Sequence, residues 1–303
     1  MPERAATGDD RRLIPIGRES TRLAACIGTV RAVAPSSAAM PRVRFPYVLP
    51  RTAFSPRDAA RAGDIWRAFQ DVAVEAATKR GWSPLAMRDV GSIWIVRSMT
   101  VVHHRETRFG EPLDGESWVR RTRRGTFSTR EVRLALDDGP IASGTQEWAH
   151  LGLGGPCRMP SAMEDDLGVL DEGGIELPDV EPRVGESFEF GFDVWETWMD
   201  PVGHVNHPHY IDFCDENVSR RMRDAGLDPL DLVPIAESAT FRAQVVAREQ
   251  ARVSSRAVGV TSSGAVVFDH RIATETNERN TDARTIRTHR ADPAAFRRAM
   301  GID

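Results

Sequence analysis

The feature that most constrains the fold of this chain is a pattern that occurs twice. Each half contains a strand, a long amphipathic helix and four further strands. The glycines expected to end the two helices, Gly81 and Gly226, lie 226 − 81 = 145 residues apart, and the triplets Ser98-Met99-Thr100 and Ser238-Ala239-Thr240 lie 238 − 98 = 140 apart. A nearly constant offset indicates an internal duplication. Because a sheet that buries one helix leaves an edge that a second copy can pair, we predict an α+β fold with one long antiparallel sheet wrapped around two central helices.

The elements of each half are predicted from the spacing of apolar residues. Ile65, Phe69 and Val72 begin the stripe of the first helix, for which Asp64 is the predicted N-cap. Pro208 is placed for the first turn of the second helix. The predicted strands are residues 43–54, 92–104, 116–121, 128–136, 141–151, 188–194, 235–246, 251–260, 265–274 and 282–289.

We divide the chain into four segments. Residues 1–40 are a predicted flexible N-terminal extension, because they show little periodicity; a transit peptide or an overlong start before Met40 are alternatives. Residues 41–155 are the first repeat, 156–185 a linker rich in Gly, Pro, Asp and Glu, and 186–303 the second repeat.

Composition excludes several classes of function. The chain has 303 residues, 41% of them hydrophobic and 28% charged, and a net charge of −4. This balance is typical of a globular protein and gives no reason to expect nucleic acid as a partner. No apolar run approaches the ~20 residues of a membrane span. Cys26, Cys157 and Cys214 are too widely separated for a disulfide framework or a zinc site, which favours a cytoplasmic location.

The segment from Asp200 to Tyr210 is the candidate functional loop. Pro201 and Gly203 indicate a turn that leads directly into the second helix. The N-terminus of a helix has unpaired backbone N–H groups and a partial positive charge. Such a position suits a carbonyl oxygen that becomes an oxyanion.

This loop resembles the active-site loop of hotdog-fold acyl thioesterases, which often have the pattern D-x-x-G-H-V-N-N-x-x-Y. The matching residues are Asp200, Gly203, His204, Val205, Asn206 and Tyr210, and His207 replaces the second Asn. Phe69-Gln70-Asp71-Val72-Ala73 is similar to the Leu-Gln-Glu-x-Ala segment of plant-type acyl carrier protein thioesterases. The resemblance covers residues 42–290. It implies a tandem (double) hotdog that hydrolyses thioesters of acyl carrier protein or coenzyme A, without a cofactor or a metal.

Thioester hydrolysis needs an activated water or an attacking carboxylate, and donors for the carbonyl oxygen. Asp200 is the candidate carboxylate, as base or as nucleophile. His204 could orient the water, hold Asp200 or contact the thioester, and the backbone N–H groups around Val205 and Asn206 are the candidate oxyanion donors. The structural alternatives are a turn aspartate, a partly buried histidine and an Asn206 side chain that caps the helix.

Gly203, Val205, His207, Tyr210 and Gln244 complete the predicted site as substrate-binding residues. Two positions depart from the plant-type network: Val202 stands where that family has Asn, and Gln244 where it has Glu. Glutamine can hold a water but cannot take its proton, which leaves the chemistry to Asp200. The first half lacks the motif, so we expect one working site per chain. Trp66, Phe69 and Val72 are either core residues or the wall of an acyl pocket.

Other functions remain open from the sequence. The same fold also hosts hydratases and dehydratases of acyl thioesters, and the two departures suit a non-catalytic acyl-binding protein. A metal site is a further alternative, with His204, His207 and His209 as ligands and Asp200 as a possible fourth. No nearby Cys and no second cluster of Asp, Glu or His completes such a site. Arginines at 57, 61, 220, 221 and 223 are either solvated or meet phosphates or an acidic carrier. The chain is expected to be a monomer of two repeats or a homodimer.

Overall fold

The computed structural model describes residues 41–302, in which twelve strands form one antiparallel sheet around two long helices. The prediction for residues 1–40 lies outside the described residues. The first-half strands are β1 (Val43–Tyr47), β2 (Ser92–His103), β3 (Leu113–Arg123), β4 (Phe127–Leu136) and β5 (Gly139–Gly152). The second-half strands are β8 (Ser187–Asp193), β9 (Leu232–Phe241), β10 (Gln250–Thr261), β11 (Val266–Thr274) and β12 (Asn277–His289).

Five helices accompany the sheet in this part of the chain. The long ones are α1 (Ala62–Thr78) and α4 (His209–Asp224), and the short ones are α2 (Pro84–Asp89), α3 (Ser161–Leu167) and α5 (Pro293–Ala299). Two short strands, β6 (Gly155–Pro156) and β7 (Val180–Pro182), pair with β5 and β10. None of the helices between residues 41 and 302 combines the length and the apolar character that crossing a bilayer requires.

The two halves join where β2 pairs with β9, in the strand order β1-β3-β4-β5-β2-β9-β12-β11-β10-β7. Met99 lies opposite Ala239, and on either side Ser98 meets Thr240 and Thr100 meets Ser238. The two repeated triplets are therefore each other's partners across a local twofold axis. This pairing confirms the predicted arrangement, since each half closes the edge that the other half leaves open.

The long helices bury their predicted stripes. Trp66, Phe69 and Val72 are 0% exposed and belong to the hydrophobic core, as the core alternative expected. Gly81 and Gly226 have φ angles of 88° and 74°, the left-handed conformation that a helix C-terminus favours in glycine. The prediction for Asp64 is wrong: Arg61 is the N-cap of α1, and Asp64 lies in the first turn, where it pairs with Arg67 at 3.1 Å.

The predicted linker has more structure than its composition indicates. In α3, Met163 and Leu167 are buried in a small cluster with Met87, Val119 and Met159. The Trp118 indole donates to the Glu172 carbonyl oxygen at 2.9 Å, which holds the segment against the sheet. The terminal helix α5 was not predicted either, although its Phe296 packs into a second cluster with Val218 and Met222.

The packing of α1 on the sheet depends on a glycine in β5. A Cβ at Gly144 would overlap the Phe69 ring and approach the Thr100 carbonyl oxygen within 2.9 Å. We expect Gly144→Ala to lower the free energy of unfolding by about 1–3 kcal/mol, because overpacking forces side chains or backbone to shift. Urea denaturation measures this. Gly154, which a Cβ would leave without contacts, is the matched control: Gly154→Ala should change stability by less than about 1 kcal/mol. Equal effects of the two substitutions would contradict this packing.

Candidate active site

The candidate loop is a tight turn that the backbone itself closes. Met199 and Val205 form an antiparallel bridge, the Asp200 N–H donates to the His204 carbonyl oxygen at 2.8 Å, and the Gly203 N–H donates to the Asp200 carbonyl oxygen at 2.9 Å. Gly203 has a φ of 86°, which explains the glycine at this position. α4 begins four residues after Val205, at His209. The loop therefore delivers Asp200 and His204 to the start of the second helix, as the sequence predicts.

Asp200 and His204 lie together. The His204 Nδ1 is 3.3 Å from the Asp200 Oδ2, and their side chains are 22% and 14% exposed. The other carboxylate oxygen, Oδ1, accepts the Val202 N–H at 2.8 Å. Asp200 is therefore held at both oxygens and largely withdrawn from solvent. The bond from the Val202 N–H is what a turn aspartate would make. The contact with His204 goes beyond that structural role.

The backbone N–H groups of Val205 and Asn206 are occupied. The Val205 N–H donates to the Val245 carbonyl oxygen at 2.8 Å, and the Asn206 N–H donates to the Trp198 carbonyl oxygen at 2.9 Å. These bonds fasten the loop between two neighbouring segments, so neither of these two N–H groups is free to bind an oxyanion. Within residues 41–302, the backbone N–H of His207 has no hydrogen-bond partner. It is the free amide donor nearest to the helix start.

The Asn206 side chain does not cap the helix. No side chain caps α4, and the first turn is closed by the Asn206 carbonyl oxygen, which accepts the His209 N–H at 3.0 Å. The Asn206 Oδ1 is buried without a partner in the described residues. A buried polar atom without a partner is uncommon in native structures, and it calls for a ligand or a water. This oxygen is therefore free to accept one hydrogen bond.

His207 is a neutral imidazole between two aromatic rings. Its ring lies 6.4 Å from Trp66 and 5.7 Å from Phe241, and its Nε2 is buried without a partner in the described part of the chain. Burial lowers the pKa of His207 to about 3, and the nearby cations and histidines act in the same direction. His207 therefore carries no charge at neutral pH and can donate or accept one hydrogen bond.

Of the remaining predicted residues, Val205 and Tyr210 belong to the hydrophobic core and Gln244 is exposed. Val205 is 2% exposed and belongs to the core. Tyr210 is 3% exposed, and its ring packs on Phe213 and Phe241; burial raises the pKa of Tyr210 above its ordinary value. The Gln244 side chain is exposed, whereas its carbonyl oxygen accepts the Asn280 side chain at 2.8 Å. The structure shows no hydrogen bond between Gln244 and Asp200 or His204 in the described residues.

Aromatic and charged neighbours of the loop were not predicted. The Trp198 ring packs on Phe213 at 5.0 Å and stacks on the exposed Trp195 at 5.1 Å. His209 contacts Asp212 at 3.2 Å and Arg67 of α1 at 2.9 Å, which links the two helix starts. The only sequence signal for Trp195 and Trp198 is their position just before Asp200. No group of three or more His, Cys, Asp or Glu side chains in residues 41–302 is arranged to hold a metal ion.

A cavity of about 920 Å³ lies beside the loop, between the two halves. Its wall includes Trp198 and His209 but none of the eight residues predicted for the site. The cavity thus reaches the aromatic neighbours of the loop, whereas Asp200 itself does not line it. Another part of the cavity wall is formed by the first-half segment that precedes α1, with Ser55, Ala59 and Arg61.

Comparison with known proteins identifies the fold of this chain. No protein-family model matches the chain, and no curated protein sequence matches it. Solved structures do: a protein provisionally named as an oleoyl thioesterase from Lactobacillus plantarum has 13% identity, covers 83% of this chain and 97% of its own, and gives a TM-score of 0.68. An acyl-ACP thioesterase from Bacteroides thetaiotaomicron VPI-5482 has 14% identity, covers 82% of this chain and 98% of its own, and gives a TM-score of 0.66. A 12:0-ACP thioesterase from Umbellularia californica has 15% identity, coverage of 82% and 94%, and a TM-score of 0.66.

The chain has the double-hotdog fold. The similarity extends over nearly the whole length of these proteins, which confirms the predicted fold and the resemblance. Because identities of 13–15% establish the fold alone, the activity of this double hotdog has to follow from its own side chains.

The low pKa of His207 makes a prediction about stability and pH. An unfolded histidine binds a proton near pH 6.5, whereas His207 in the folded double hotdog does so only near pH 3. Between these values the unfolded state holds more protons, so stability falls as pH falls, by up to about 1.4 kcal/mol per pH unit for each such group. His207→Asn should reduce this slope between pH 6 and pH 4, measured by urea denaturation at several pH values. An unchanged slope would show that His207 is not neutral in the folded protein.

Proposed function

We propose that this chain hydrolyses acyl thioesters of acyl carrier protein or coenzyme A, with Asp200 as the general base. The observation that carries the proposal is the Asp200–His204 pair, 3.3 Å apart and shielded from solvent at the start of α4. A carboxylate fixed at both oxygens is well placed to take a proton from a water molecule that lies between it and the substrate. The fold is shared with named thioesterases and is consistent with this chemistry.

The proposed reaction proceeds by one addition and one elimination. Asp200 takes a proton from water as the water oxygen bonds to the thioester carbon, and the carbonyl oxygen becomes an oxyanion. The free N–H of His207 is the proposed donor to it, because the N–H groups of Val205 and Asn206 are occupied. The oxyanion then collapses, the carbon–sulfur bond breaks, and the proton held by Asp200 passes to the departing thiolate. His204 positions Asp200 through their contact.

The proposal also covers the residues that would surround the thioester and the cellular compartment in which the protein would act. Residues Gly203, Val205, His207, Tyr210 and Gln244 would surround the thioester, with Val205 and Tyr210 fixing the loop from the core side. Cys157 and Cys214 are free thiols, which suits a reducing cytoplasm. A panel of acyl thioesters of graded length, on both carriers, with thiol release followed, would define the substrate.

The decisive variant is Asp200→Asn. We expect it to reduce kcat for thiol release by about 10²–10⁴-fold, because asparagine keeps the shape but cannot take a proton. Asp228 is a matched control, since its Oδ1 accepts the Leu230 N–H at 2.9 Å in the same kind of turn but has no such histidine partner in the described residues. Asp228→Asn should leave kcat within about twofold. If both variants keep full activity, Asp200 is only a turn residue and the mechanism is wrong.

Two further measurements separate the alternatives. In a single turnover in ¹⁸O-water, a general-base mechanism places one ¹⁸O atom in the released acid. A nucleophilic Asp200 would expel the thiolate and form an acyl-aspartyl anhydride. Water attack at the aspartyl carbon of this anhydride would leave an Asp200 oxygen in the acid and ¹⁸O in the carboxylate. Incubation with an enoyl thioester tests the hydratase alternative, for which water would add to the double bond without release of thiol. That second result would overturn hydrolysis as the function.

A further inference from the structure

The first half contains a structural copy of the candidate loop, 145 residues upstream. Phe54 and Ala60 form an antiparallel bridge, as Met199 and Val205 do. The Ser55 N–H donates to the Ala59 carbonyl oxygen at 2.9 Å, which reproduces the bond from Asp200 to His204. The Arg61 N–H donates to Ala53 at 3.0 Å, as the Asn206 N–H does to Trp198. Each loop therefore leads into its own helix with the same backbone.

The copy lacks the reactive side chains. Its backbone bonds place Ser55 at the position of Asp200, Ala59 at that of His204 and Arg61 at that of Asn206. Asp58 occupies the position of Gly203 and shares its left-handed conformation, with a φ of 59°. No carboxylate or imidazole therefore stands where the second loop has its acid–histidine pair, so this loop can bind a thioester without the base proposed for the other.

The 920 Å³ cavity lies at this copied loop. Ser55, Ala59 and Arg61 form one wall of it, and α4 forms the opposite wall through Asp215 and Ser219. Its volume falls within the range of ordinary ligand pockets. One side is apolar and aromatic, consisting of Phe190, Phe192, Trp198 and Phe213.

Two buried polar atoms on the wall have no partner in the described residues. One is the Ser55 Oγ and the other is the Arg287 Nη2. Arg287 is 0% exposed, and its Nε donates to Asp215 at 2.8 Å while its Nη1 donates to Glu237 at 2.5 Å. Because two carboxylates already neutralise Arg287, its free N–H suits an uncharged oxygen better than an anion. A hydroxyl or an amide fits, since Asp215 beside it can accept a donor.

The rim of the cavity carries three arginines, of which Arg220 and Arg223 pair with Glu216, another lining residue. Arg61, Arg220 and Arg223 line it with side chains that are 47%, 53% and 51% exposed. Arg220 also lies over the Phe190 ring at 4.6 Å. Half-exposed guanidinium groups at the mouth of a cavity favour phosphates. The exposed Trp195, stacked on Trp198, adds a flat apolar surface beside them.

We propose that this cavity is a second, non-hydrolysing site for a coenzyme A thioester. The phosphates contact the rim arginines, the amide-containing arm contacts Arg287, Asp215 and Ser55, and the acyl chain lies on the aromatic wall. This inference concerns a site separate from Asp200, although it takes the same class of molecule as the proposed function.

The test is the number of ligands bound per chain. S-dodecyl-coenzyme A, a thioether that cannot be hydrolysed, is titrated calorimetrically into the full chain. We expect two molecules per chain for the wild-type protein and one for Ser219→Phe, in which the ring fills the cavity from α4. Ser263→Phe, on an exposed turn outside the cavity wall, should keep two. Hydrolysis by Ser219→Phe should stay within about twofold, since Ser219 is not part of the proposed machinery.

The outcomes distinguish the two proposals. If the wild-type protein binds one molecule and Ser219→Phe still binds one, the second site does not exist and the hydrolytic site is unaffected. If the wild-type protein binds one and Ser219→Phe binds none, the cavity is confirmed and the Asp200 site fails. Arg223→Gln should weaken cavity binding of S-dodecyl-coenzyme A by about tenfold but leave S-dodecylpantetheine, which lacks phosphates, unchanged. An equal loss for both ligands would contradict the phosphate contact.

Discussion

The geometry of the whole protein depends on a buried carboxylate, Glu237. It lies on β9 with 0% exposure and binds the Trp66 indole of α1 at 3.1 Å, His103 of β2 at 2.8 Å and Arg287 of β12. Burial alone would raise the pKa of Glu237, but the attraction of His103 and Arg287 and the hydrogen bonds lower it to about 2. The stabilisation from its charge is present above the ordinary pKa of 4.5 and is lost only as pH falls towards 2. Because Arg287 also binds Asp215 of α4, one ionic network fixes both helices on the sheet and thereby places both loops.

Much of the fold follows from the sequence because its signals are periodic. The apolar stripes predict α1 and α4, and the 140-residue offset predicts the duplication whose two copies pair at Met99 and Ala239 in the structure. The failures lie where a short-range signal competes with tertiary packing. Asp64 looks like an N-cap, yet it serves Arg67 in the contact between α1 and α4. The linker is polar in composition, but a few apolar residues such as Met163 suffice to dock α3, and such sparse contacts leave no period to detect.

The candidate site shows the same division. A contact with Asp200 was one of the three roles that the sequence left open for His204, and the structure places the two side chains 3.3 Å apart. Tertiary contacts decide which backbone N–H groups lack a hydrogen-bond partner. The Val205 N–H is taken by Val245, some forty residues away in sequence, and no local pattern reports that bond. One signal was present and was missed: Pro56 and Pro201 are 145 residues apart, and each follows the first residue of its loop.

The two loops of the duplicated fold share a backbone conformation and differ in their side chains. The backbone bonds of each loop hold it in the sheet, and in both copies they are made by N–H and C=O groups that any side chain can accompany. The side chains are therefore free to differ as long as one position accepts a left-handed conformation, which Asp58 and Gly203 both do. In the second half this freedom gives a shielded acid–histidine pair. In the first half it gives a serine, an alanine and an arginine, and with them an open cavity. The common backbone thus explains why the two loops are equivalent in place, and the divergent side chains explain why only one of them carries an acid–histidine pair.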